Sequence, residues 1–466
     1  MSGSNQIWIK YAETARRGTV LLSAFLAVSC GGGGSSALAT APTLTSIALS
    51  PLTVSLAPGA TQQLTVTGTF NNGTSQTLSA GAESFASSDS SVATVSASGL
   101  ITASPGAAAA STATISATDT ASGIQSSAAD SIVVTVAAVS SGPPTATSKA
   151  AATATAADNA LCTAITPFYW EIGDKSGMLA SGSRGMNSSG HPILATTRLS
   201  IASASKWMYG SYIVQLRGSA GLTAQDINFL HFTSGYNNMG ADVTGSECPA
   251  PASGPNTVNV CLTQTNSSNG LPYTYQDPST VGKFDYGSGH LENHASLYGG
   301  LGDVPVASLG STIGGLLDRN VNFFYSEPLM AGGIFTSSND YALVLRDILS
   351  GALLMHDALG TNPVCTRPSA PNCNAAFSPI PEAWNYSMAH WVEVDKATNG
   401  DGAFSSPGAY GFYPWIEAAK NYYGIISREA TAIGSGEQAG YASAQCGRLI
   451  RHAWDSGQEQ TGEIPD

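Results

Sequence analysis

Residues 44–137 alternate between apolar and polar positions in short runs, a pattern typical of β-strands with one buried face. The runs are separated by Gly, Pro, Asn and Ser, which favour turns. Six such runs are SIALSP, VSLAPG, QQLTVTGTF, SVATVSASGLITA, ATISATD and IVVTV. Short strands at this spacing predict a small β-sandwich. The stretch holds no His, Cys, Lys or Arg, so we expect no catalysis in it.

Residues 138–157 are mostly small side chains with a Pro-Pro pair, and we interpret them as a linker. Residues 158–466 form the second predicted domain. It opens with a hairpin pattern, ITPFYWEI and MLASGSRG around a GDKSG turn, followed by the extended stretch PILATTRLSI. Helical periodicity follows Ser203, and again after Ser338, which is a suitable N-cap.

Two β-runs within YGFYPWIEAAKNYYGIISRE and a terminal helical pattern, SAQCGRLIRHAW, close the chain. Strands at both ends with helices between them predict an antiparallel sheet assembled from both ends of the domain and flanked by helices. The predicted fold class is therefore multidomain, with a β-sandwich followed by an α+β domain.

The N-terminus has the organisation of an export signal, which we assign to residues 1–29. Basic residues precede a nine-residue apolar run, Val20 to Val28, that is too short to span a bilayer. LAVSC then ends at Cys30, and residues 30–43 form a Gly- and Ser-rich tether. This arrangement resembles a bacterial lipoprotein signal, which implies lipidation of Cys30. Ordinary cleavage after Ser29 is the alternative.

Composition narrows the classes of partner. The net charge is −13 and only 11% of residues are charged, without the Lys and Arg clusters that nucleic-acid binding requires. Export places the cysteines in an oxidising compartment, where disulfides are expected. Beyond Cys30 there are six cysteines, and their spacing suggests the pairs Cys248–Cys261, Cys365–Cys373 and Cys162–Cys446.

The stretch SIASASKWM, residues 200–208, carries the candidate chemistry. Residues three apart lie on one face of a helix, so the hydroxyl of Ser203 and the amine of Lys206 can meet, whereas Ser200 and Ser205 lack that spacing. A neutral lysine can accept the proton of a serine nucleophile. No Gly-x-Ser-x-Gly elbow occurs in the chain. The alternative is an exposed helix start in a serine-rich protein.

Two histidine features have structural alternatives. HLENH, residues 290–294, pairs His290 with His294 at helical spacing, but Glu292 does not stand where a zinc-binding HExxH motif requires it. We therefore predict no metal site. His231 is interpreted as a structural residue that braces a loop.

Family resemblances add to these observations. SVATVSASGLITASPG resembles the bacterial Ig-like group 2 domain, which implies that residues 44–137 are a spacer or adhesion module. RLSIASASKWM resembles the segment of class C β-lactamases and related family VIII carboxylesterases in which Ser-x-x-Lys opens a helix. Three further stretches fit the same family in order and spacing, namely INFLHFTSGY, FDYGSGH and LMAGGIFTSSNDYALVLRDILSGALL.

The resemblance implies a role for each matching residue. Ser203 is the implied nucleophile, Lys206 its partner and Tyr286 the general base, while Ser288 replaces the family's asparagine. The oxyanion hole would combine the backbone N–H of Ser203 with one from a later strand, where SSPGAYGFYPW is the best match. Ser406, Gly408 and Ala409 occupy that place, with Ala409 the implied donor.

The family's cation at the later strand is missing, because Ser406 stands there. Lys396 or Arg184 could substitute for it by folding into the cleft. Four aromatic residues close to this strand could line an acyl pocket or belong to the sheet core: Tyr410, Phe412, Tyr413 and Trp415.

The sequence therefore predicts a serine hydrolase that forms an acyl-enzyme on Ser203 and acts on neutral carboxylic esters. Alternatives with the same fold are amide, oligoamide or β-lactam hydrolysis and D-amino peptidase activity. A non-catalytic protein that binds cell-wall fragments or a surface partner is the alternative of another class. We expect no cofactor and no binding of nucleic acid. We expect membrane association only through a lipid anchor in the cell envelope. The oligomeric state is left open.

Overall fold

The computed structural model describes residues 42–56, 61–78, 83–104, 107, 111–136, 146–218, 221–240, 247–318, 320–395, 400–430 and 436–462. The predicted signal peptide, Cys30 and nearly all of the predicted tether lie outside the described residues. Within the described residues, no helix is both long enough and apolar enough to cross a membrane.

The first domain consists of short strands in three sheets. The strands are β1 Leu44–Ser50, β2 Thr53–Leu56, β3 Thr61–Gln63, β4 Thr65–Phe70, β5 Ser75–Thr77, β6 Glu83–Ser87, β7 Ala93–Val95, β8 Leu100–Ala103, β9 Thr112–Asp119 and β10 Ile132–Val136. Their orders are β1-β4-β5, β2-β10-β9-β6 and β3-β8-β7. β2 and β10 run parallel, and the other pairs are antiparallel.

The alternating pattern determines which side chains form this domain's core. In β9, Ala113, Ile115 and Ala117 are buried while the residues between them are more exposed. Ile132 and Val134 of the adjacent β10 follow the same rule, because successive side chains of a strand point to opposite faces. Each of the six predicted β-runs contains at least one strand, and β5 and β6 are additional.

The second domain is built on an eight-stranded sheet in the order β12-β11-β23-β22-β21-β20-β19-β17. All its strand pairs are antiparallel. The strands of this domain are β11 Phe168–Asp174, β12 Gly177–Arg184, β13 Leu199–Ser200, β14 Phe284–Asp285, β15 Phe324–Tyr325, β16 Ile334–Thr336, β17 Val364–Cys365, β18 Ala375–Phe377, β19 Asn385–Ser387, β20 His390–Val392, β21 Phe404–Ser405, β22 Tyr413–Ile416 and β23 Tyr423–Ser427. The predicted assembly from both ends is confirmed, since β11 pairs with β23.

The domain also contains helices, some of which pack against this sheet. They are α1 Ala146–Asp158, α2 Ala160–Thr163, α3 Ser205–Arg217, α4 Ala224–Leu230, α5 Val258–Leu262, α6 His290–Leu297, α7 Val306–Leu317, α8 Ser338–Ser350, α9 Met355–Ala358 and α10 Gly436–Ser456. α8 and α10 pack against β23, and every residue of that strand is buried. Both faces of this central strand are therefore covered.

The structure differs from the predicted linker over residues 146–157, which belong to α1. Alanine has the highest helix propensity, and Ala151, Ala152 and Ala156 are buried where α1 packs against α10. The hydroxyl of Thr155 accepts a hydrogen bond from the backbone N–H of Gln460 at 2.8 Å. The second domain thus includes this helix, while residues 137–145 lie outside the described part of the chain.

Two local predictions need correction. Of the stretch PILATTRLSI, only Leu199–Ser200 is a strand. The N-cap of α8 is Ser337, one residue before the predicted Ser338, and its hydroxyl accepts from the N–H of Asp340 at 3.3 Å. All three predicted disulfides are present: Cys162–Cys446, Cys248–Cys261 and Cys365–Cys373.

Candidate active site

Ser203 and Lys206 lie where a short 3₁₀ turn, Ala202–Ala204, leads into α3. Lys206 is only 5% exposed. Its Nζ donates to Ser203 Oγ at 2.8 Å and to the carbonyl oxygen of Ala331 at 2.9 Å. The contact that the sequence spacing predicts is therefore made. Ser205, in contrast, is buried, and its hydroxyl accepts from the backbone N–H of Ile334 at 3.1 Å.

The backbone immediately before Ser203 is strained. Ala202 has φ +44°, in the left-handed region that residues other than glycine rarely adopt. Such conformations cost about 1–3 kcal/mol and concentrate at functional sites. The turn is held by hydrogen bonds from Ile201 N–H to the Ile334 carbonyl and from Ala204 N–H to the Ile201 carbonyl, both 3.1 Å long.

Tyr286 follows β14 and borders the same cavity as Ser203. Its backbone N–H donates to the Phe377 carbonyl at 3.1 Å. Its ring packs against Phe232 and Trp391, with centroids 5.3 and 5.1 Å away. Lys206 Nζ lies 4.9 Å from the centroid of the Tyr286 ring. Packing on several sides thus fixes the phenol beside the Ser203–Lys206 pair.

Ser288 borders the cavity two residues beyond Tyr286. Its hydroxyl donates to Glu247 Oε1 at 3.1 Å. Burial raises the pKa of the Glu247 carboxyl, while the Ser288 hydroxyl and the Lys206 side chain act in the opposite direction. The β-lactamase-like sequences that this stretch resembles have an asparagine here. This chain has a serine, and its hydroxyl is hydrogen-bonded to a carboxyl group.

The segment Ser406–Pro407–Gly408–Ala409 follows β21 and lies against the turn that carries Ser203. A Cβ at Gly408 would be only 2.1 Å from the Ile201 carbonyl oxygen, so this close approach of two backbones requires glycine. Ala409 borders the cavity. The backbone N–H groups of Ser203 and Ala409 donate to no backbone or side-chain acceptor in the described part of the chain.

Ser406 does not take the position expected from the resemblance. Its side chain is 2% exposed, and its hydroxyl donates to the backbone carbonyl of Ser203 at 3.1 Å. Its backbone N–H donates to the Pro414 carbonyl. Ser406 therefore braces the backbone of Ser203, and its buried hydroxyl does not line the cavity.

A cavity of about 280 Å³ opens in front of Ser203. Its polar wall is formed by Ser200, Ser203, Lys206, Glu247, Tyr286, Ser288, Ser326 and Glu327. Lys206 is the single basic side chain on this wall among the described residues, facing two glutamates. Of the proposed substitute cations, Arg184 ends strand β12 and does not line the cavity, and Lys396 lies outside the described residues.

The four aromatic candidates divide between surface and core. Tyr410 is exposed and borders the cavity. Phe412, Tyr413 and Trp415 are fully buried, and the Tyr413 hydroxyl donates to Glu393 at 2.7 Å. Only Tyr410 is therefore placed to contact a bound acyl group.

The three histidines singled out from the sequence, His231, His290 and His294, are buried. His290 Nδ1 shares a hydrogen bond with Ser234 Oγ at 2.7 Å, and burial lowers the pKa of His290 to about 3. His294 Nε2 is bonded to Asp226 at 2.9 Å. Burial also lowers the pKa of His231 to about 4, and His231 does not border the cavity. No group of three or more His, Cys, Asp or Glu in the described residues could hold a metal ion.

Sequence reasoning missed three contributors to the site. Glu247 and Glu327 belong to none of the motifs described above, and they lie 44 and 124 residues after Ser203 in the chain. Ala331 lies inside a motif that resembles the family, but it acts through its backbone carbonyl, which side-chain identity does not reveal. Only folding brings these groups to Lys206.

A comparison with known protein families agrees with the predicted first domain. The family model of the bacterial Ig-like domain (group 2) matches residues 43–130. The Ig-like prediction is confirmed. No curated protein sequence gives a significant match to the chain.

Solved structures similar to the chain include a candidate β-lactamase from Bacteroides dorei, with 19% identity and a TM-score of 0.38, covering 61% of this chain and 93% of that one. An octameric penicillin-binding protein homologue from Pyrococcus abyssi has 13% identity and a TM-score of 0.44, with coverages of 64% and 76%. Simvastatin synthase from Aspergillus terreus has 14% identity and a TM-score of 0.39, with coverages of 66% and 100%. The matched Ig-like family and the strand pairing described above confirm the predicted fold class, in which an Ig-like domain precedes an α+β domain with an antiparallel sheet and helices.

Proposed function

We propose that the protein is a serine hydrolase that forms an acyl-enzyme on Ser203 and acts on neutral carboxylic esters. The observation that carries the proposal is the 2.8 Å hydrogen bond between Lys206 Nζ and Ser203 Oγ at the wall of a cavity. A buried amine beside a serine hydroxyl is the arrangement that activates a weak nucleophile.

In the proposed reaction, Ser203 Oγ attacks the carbonyl carbon of the ester while its proton passes to the neutral Lys206 amine. The backbone N–H groups of Ser203 and Ala409 hold the oxyanion of the tetrahedral intermediate. The C–O bond to the alcohol then breaks, and the alcohol leaves with a proton relayed through Tyr286. Water attacks the acyl-Ser203 ester in the same way, releasing the carboxylic acid and restoring the serine.

The charges around the cavity support neutral substrates. Lys206 Nζ is already hydrogen-bonded to Ser203 Oγ and to the Ala331 carbonyl, and the acidic side chains on the described wall are Glu247 and Glu327. A substrate carboxylate would meet these acids without a cation to bind it. Charge-assisted hydrogen bonds contribute about 1.5–3 kcal/mol, so anionic substrates lose roughly ten- to a hundredfold in kcat/KM. β-Lactams and D-alanyl peptides carry such a carboxylate.

We further propose export and lipid anchoring through Cys30, with the Ig-like domain as a spacer. Three disulfides indicate that the protein folds in an oxidising compartment. The proposal of a lipid anchor is based on the sequence of residues 1–30.

The nucleophile is tested with wild type, Ser203→Ala and Ser200→Ala on p-nitrophenyl butyrate, together with mass-spectrometric mapping of a fluorophosphonate adduct. We expect the adduct on Ser203 and loss of turnover in Ser203→Ala alone. Ser200 is the matched control because it borders the same cavity. An adduct on another serine would contradict the assignment.

The substrate class is tested with an ester pair of similar size, p-nitrophenyl butyrate and mono-p-nitrophenyl succinate, and with nitrocefin. We expect the neutral ester to have the higher kcat/KM by about ten- to a hundredfold. Equal or better hydrolysis of nitrocefin would overturn the esterase assignment while leaving Ser203 as the nucleophile.

A further inference from the structure

Glu292 is a fully buried carboxylate on α6 that does not border the cavity. Its Oε1 accepts the backbone N–H of Ala331 at 2.8 Å, and its Oε2 accepts the backbone N–H of Gly289 at 3.2 Å. The bond to Gly289 closes the first turn of Glu292's own helix, and the bond to Ala331 joins that helix start to a segment 39 residues further along the chain. An isolated buried charge is costly unless it is hydrogen-bonded, so this side chain requires both donors.

Each of the two segments carries part of the proposed machinery. The Ala331 carbonyl is the second hydrogen-bond acceptor of Lys206 Nζ, at 2.9 Å. Gly289 ends the turn that begins with Tyr286 and includes Ser288, and its φ of +122° permits the chain to enter α6 there. The backbone at residue 331, which holds Lys206, and the turn 286–289, which carries Tyr286, are therefore both hydrogen-bonded to Glu292.

We propose that Glu292 is a positioning residue, which sets the distance between Lys206 and Tyr286 by clamping the backbones at residues 331 and 289. The inference rests on the proposed function, since it assigns the clamp to the proton relay of that reaction. Glu292 touches neither substrate nor reacting atoms, and it acts through the two N–H groups it accepts.

Other charged or titratable groups surround the clamp. Burial raises the pKa of the Glu292 carboxyl, as does Glu247, while the Ala331 N–H and the Lys206 side chain act in the opposite direction. Tyr209 and Tyr325 are also close enough for Glu292 to raise their pKa values further, beyond the larger effect of burial. A carboxylate can accept from both N–H donors at once. A glutamine cannot, because its amide NH₂ would face one of them.

The experiment compares wild type with Glu292→Gln and with Glu393→Gln. Glu393 is the control for loss of a buried carboxylate away from the cavity wall, because it is also fully buried, accepts from Tyr413 and pairs with Arg451 and Arg448. For Glu292→Gln we expect kcat on p-nitrophenyl butyrate to fall about ten- to a hundredfold, with KM changed by less than about threefold. Glu393→Gln should lower Tm and leave kcat within about twofold.

Glu292→Asp provides a second variant, which keeps the charge but is too short to reach both donors. It should also lower kcat. Wild-type kcat in either folded Glu292 variant would overturn the inference, as would a kcat loss of the same size in Glu393→Gln.

Hydrogen exchange on the wild-type protein needs no variant. The amides of Gly289 and Ala331 should be protected, and rapid exchange of both would overturn the clamp. Absence of turnover in the wild type would contradict the proposed function. In that case, protection of the two amides would still support the hydrogen bonds to Glu292.

Discussion

Gly408→Ala is the sharpest test of how the two halves of the candidate site fit together. The added Cβ would lie 2.1 Å from the Ile201 carbonyl oxygen, 3.1 Å from its carbon and 3.4 Å from the Ala204 nitrogen. All three atoms are backbone, so no side chain can rotate away. They also belong to the turn that carries Ser203.

The structure sets the size of the effect. Real Cβ contacts are essentially never shorter than 3.0 Å, so the two backbones must separate by about 1 Å. Overpacking of this kind costs about 1–3 kcal/mol of stability. A displacement of about 1 Å at the reacting groups can cost about a hundredfold in rate, which corresponds to about 2.7 kcal/mol of transition-state stabilisation.

The assay measures kcat and KM on p-nitrophenyl butyrate, the rate of fluorophosphonate labelling and Tm. We expect kcat/KM and the labelling rate to fall about a hundredfold. Gly315→Ala on α7 is the matched control, because its new Cβ meets no atom within 4 Å. It should leave the kinetics unchanged and stabilise the protein by about 0.5–1 kcal/mol.

Wild-type labelling and turnover in folded Gly408→Ala would refute this reasoning. They would show that Ala409 and Ser203 can move apart without consequence, so that the close approach at Gly408 plays no part in the chemistry. A lower Tm with unchanged kcat would leave the packing argument standing and remove the catalytic one.

Two further predictions concern the covalent features of the chain. Replacing Cys162 and Cys446 together by serine should lower the free energy of unfolding by about 2–5 kcal/mol, because their disulfide closes a loop with a sequence separation of 284; denaturant titration measures this, and an unchanged midpoint would contradict it. Cys30→Ala should release the protein from the membrane fraction, and recovery of wild-type protein with an unmodified Cys30 at its mature N-terminus would argue against the lipid anchor.

Local sequence determined the parts of this protein whose geometry depends on near neighbours. The strands of the first domain follow from alternation, because a strand with one buried face must place apolar residues at every second position. The contact between Ser203 and Lys206 follows from spacing, because residues three apart share a helix face. Both patterns are local in sequence, although the distant Ala331 carbonyl also holds the Lys206 amine.

Composition alone gave a wrong prediction for residues 146–157, because their composition is compatible with both a linker and a helix. The Ala- and Thr-rich stretch before residue 158 suits a flexible linker and a helix equally well. Its helix α1 is stabilised by packing against α10 and by the bond from Gln460 to Thr155, about 300 residues apart in the chain. Isolated helices of this length are marginal in water, so tertiary contacts decide.

Only the tertiary structure decided what each group around Ser203 does. The hydroxyl of Ser406 turns to the Ser203 carbonyl, the Ala331 carbonyl holds Lys206, and the Glu292 carboxylate joins two loops. These interactions use backbone atoms, which every residue has, across large separations in sequence. A sequence names its side chains but not the backbone groups they meet, and that pairing is fixed only when the chain packs.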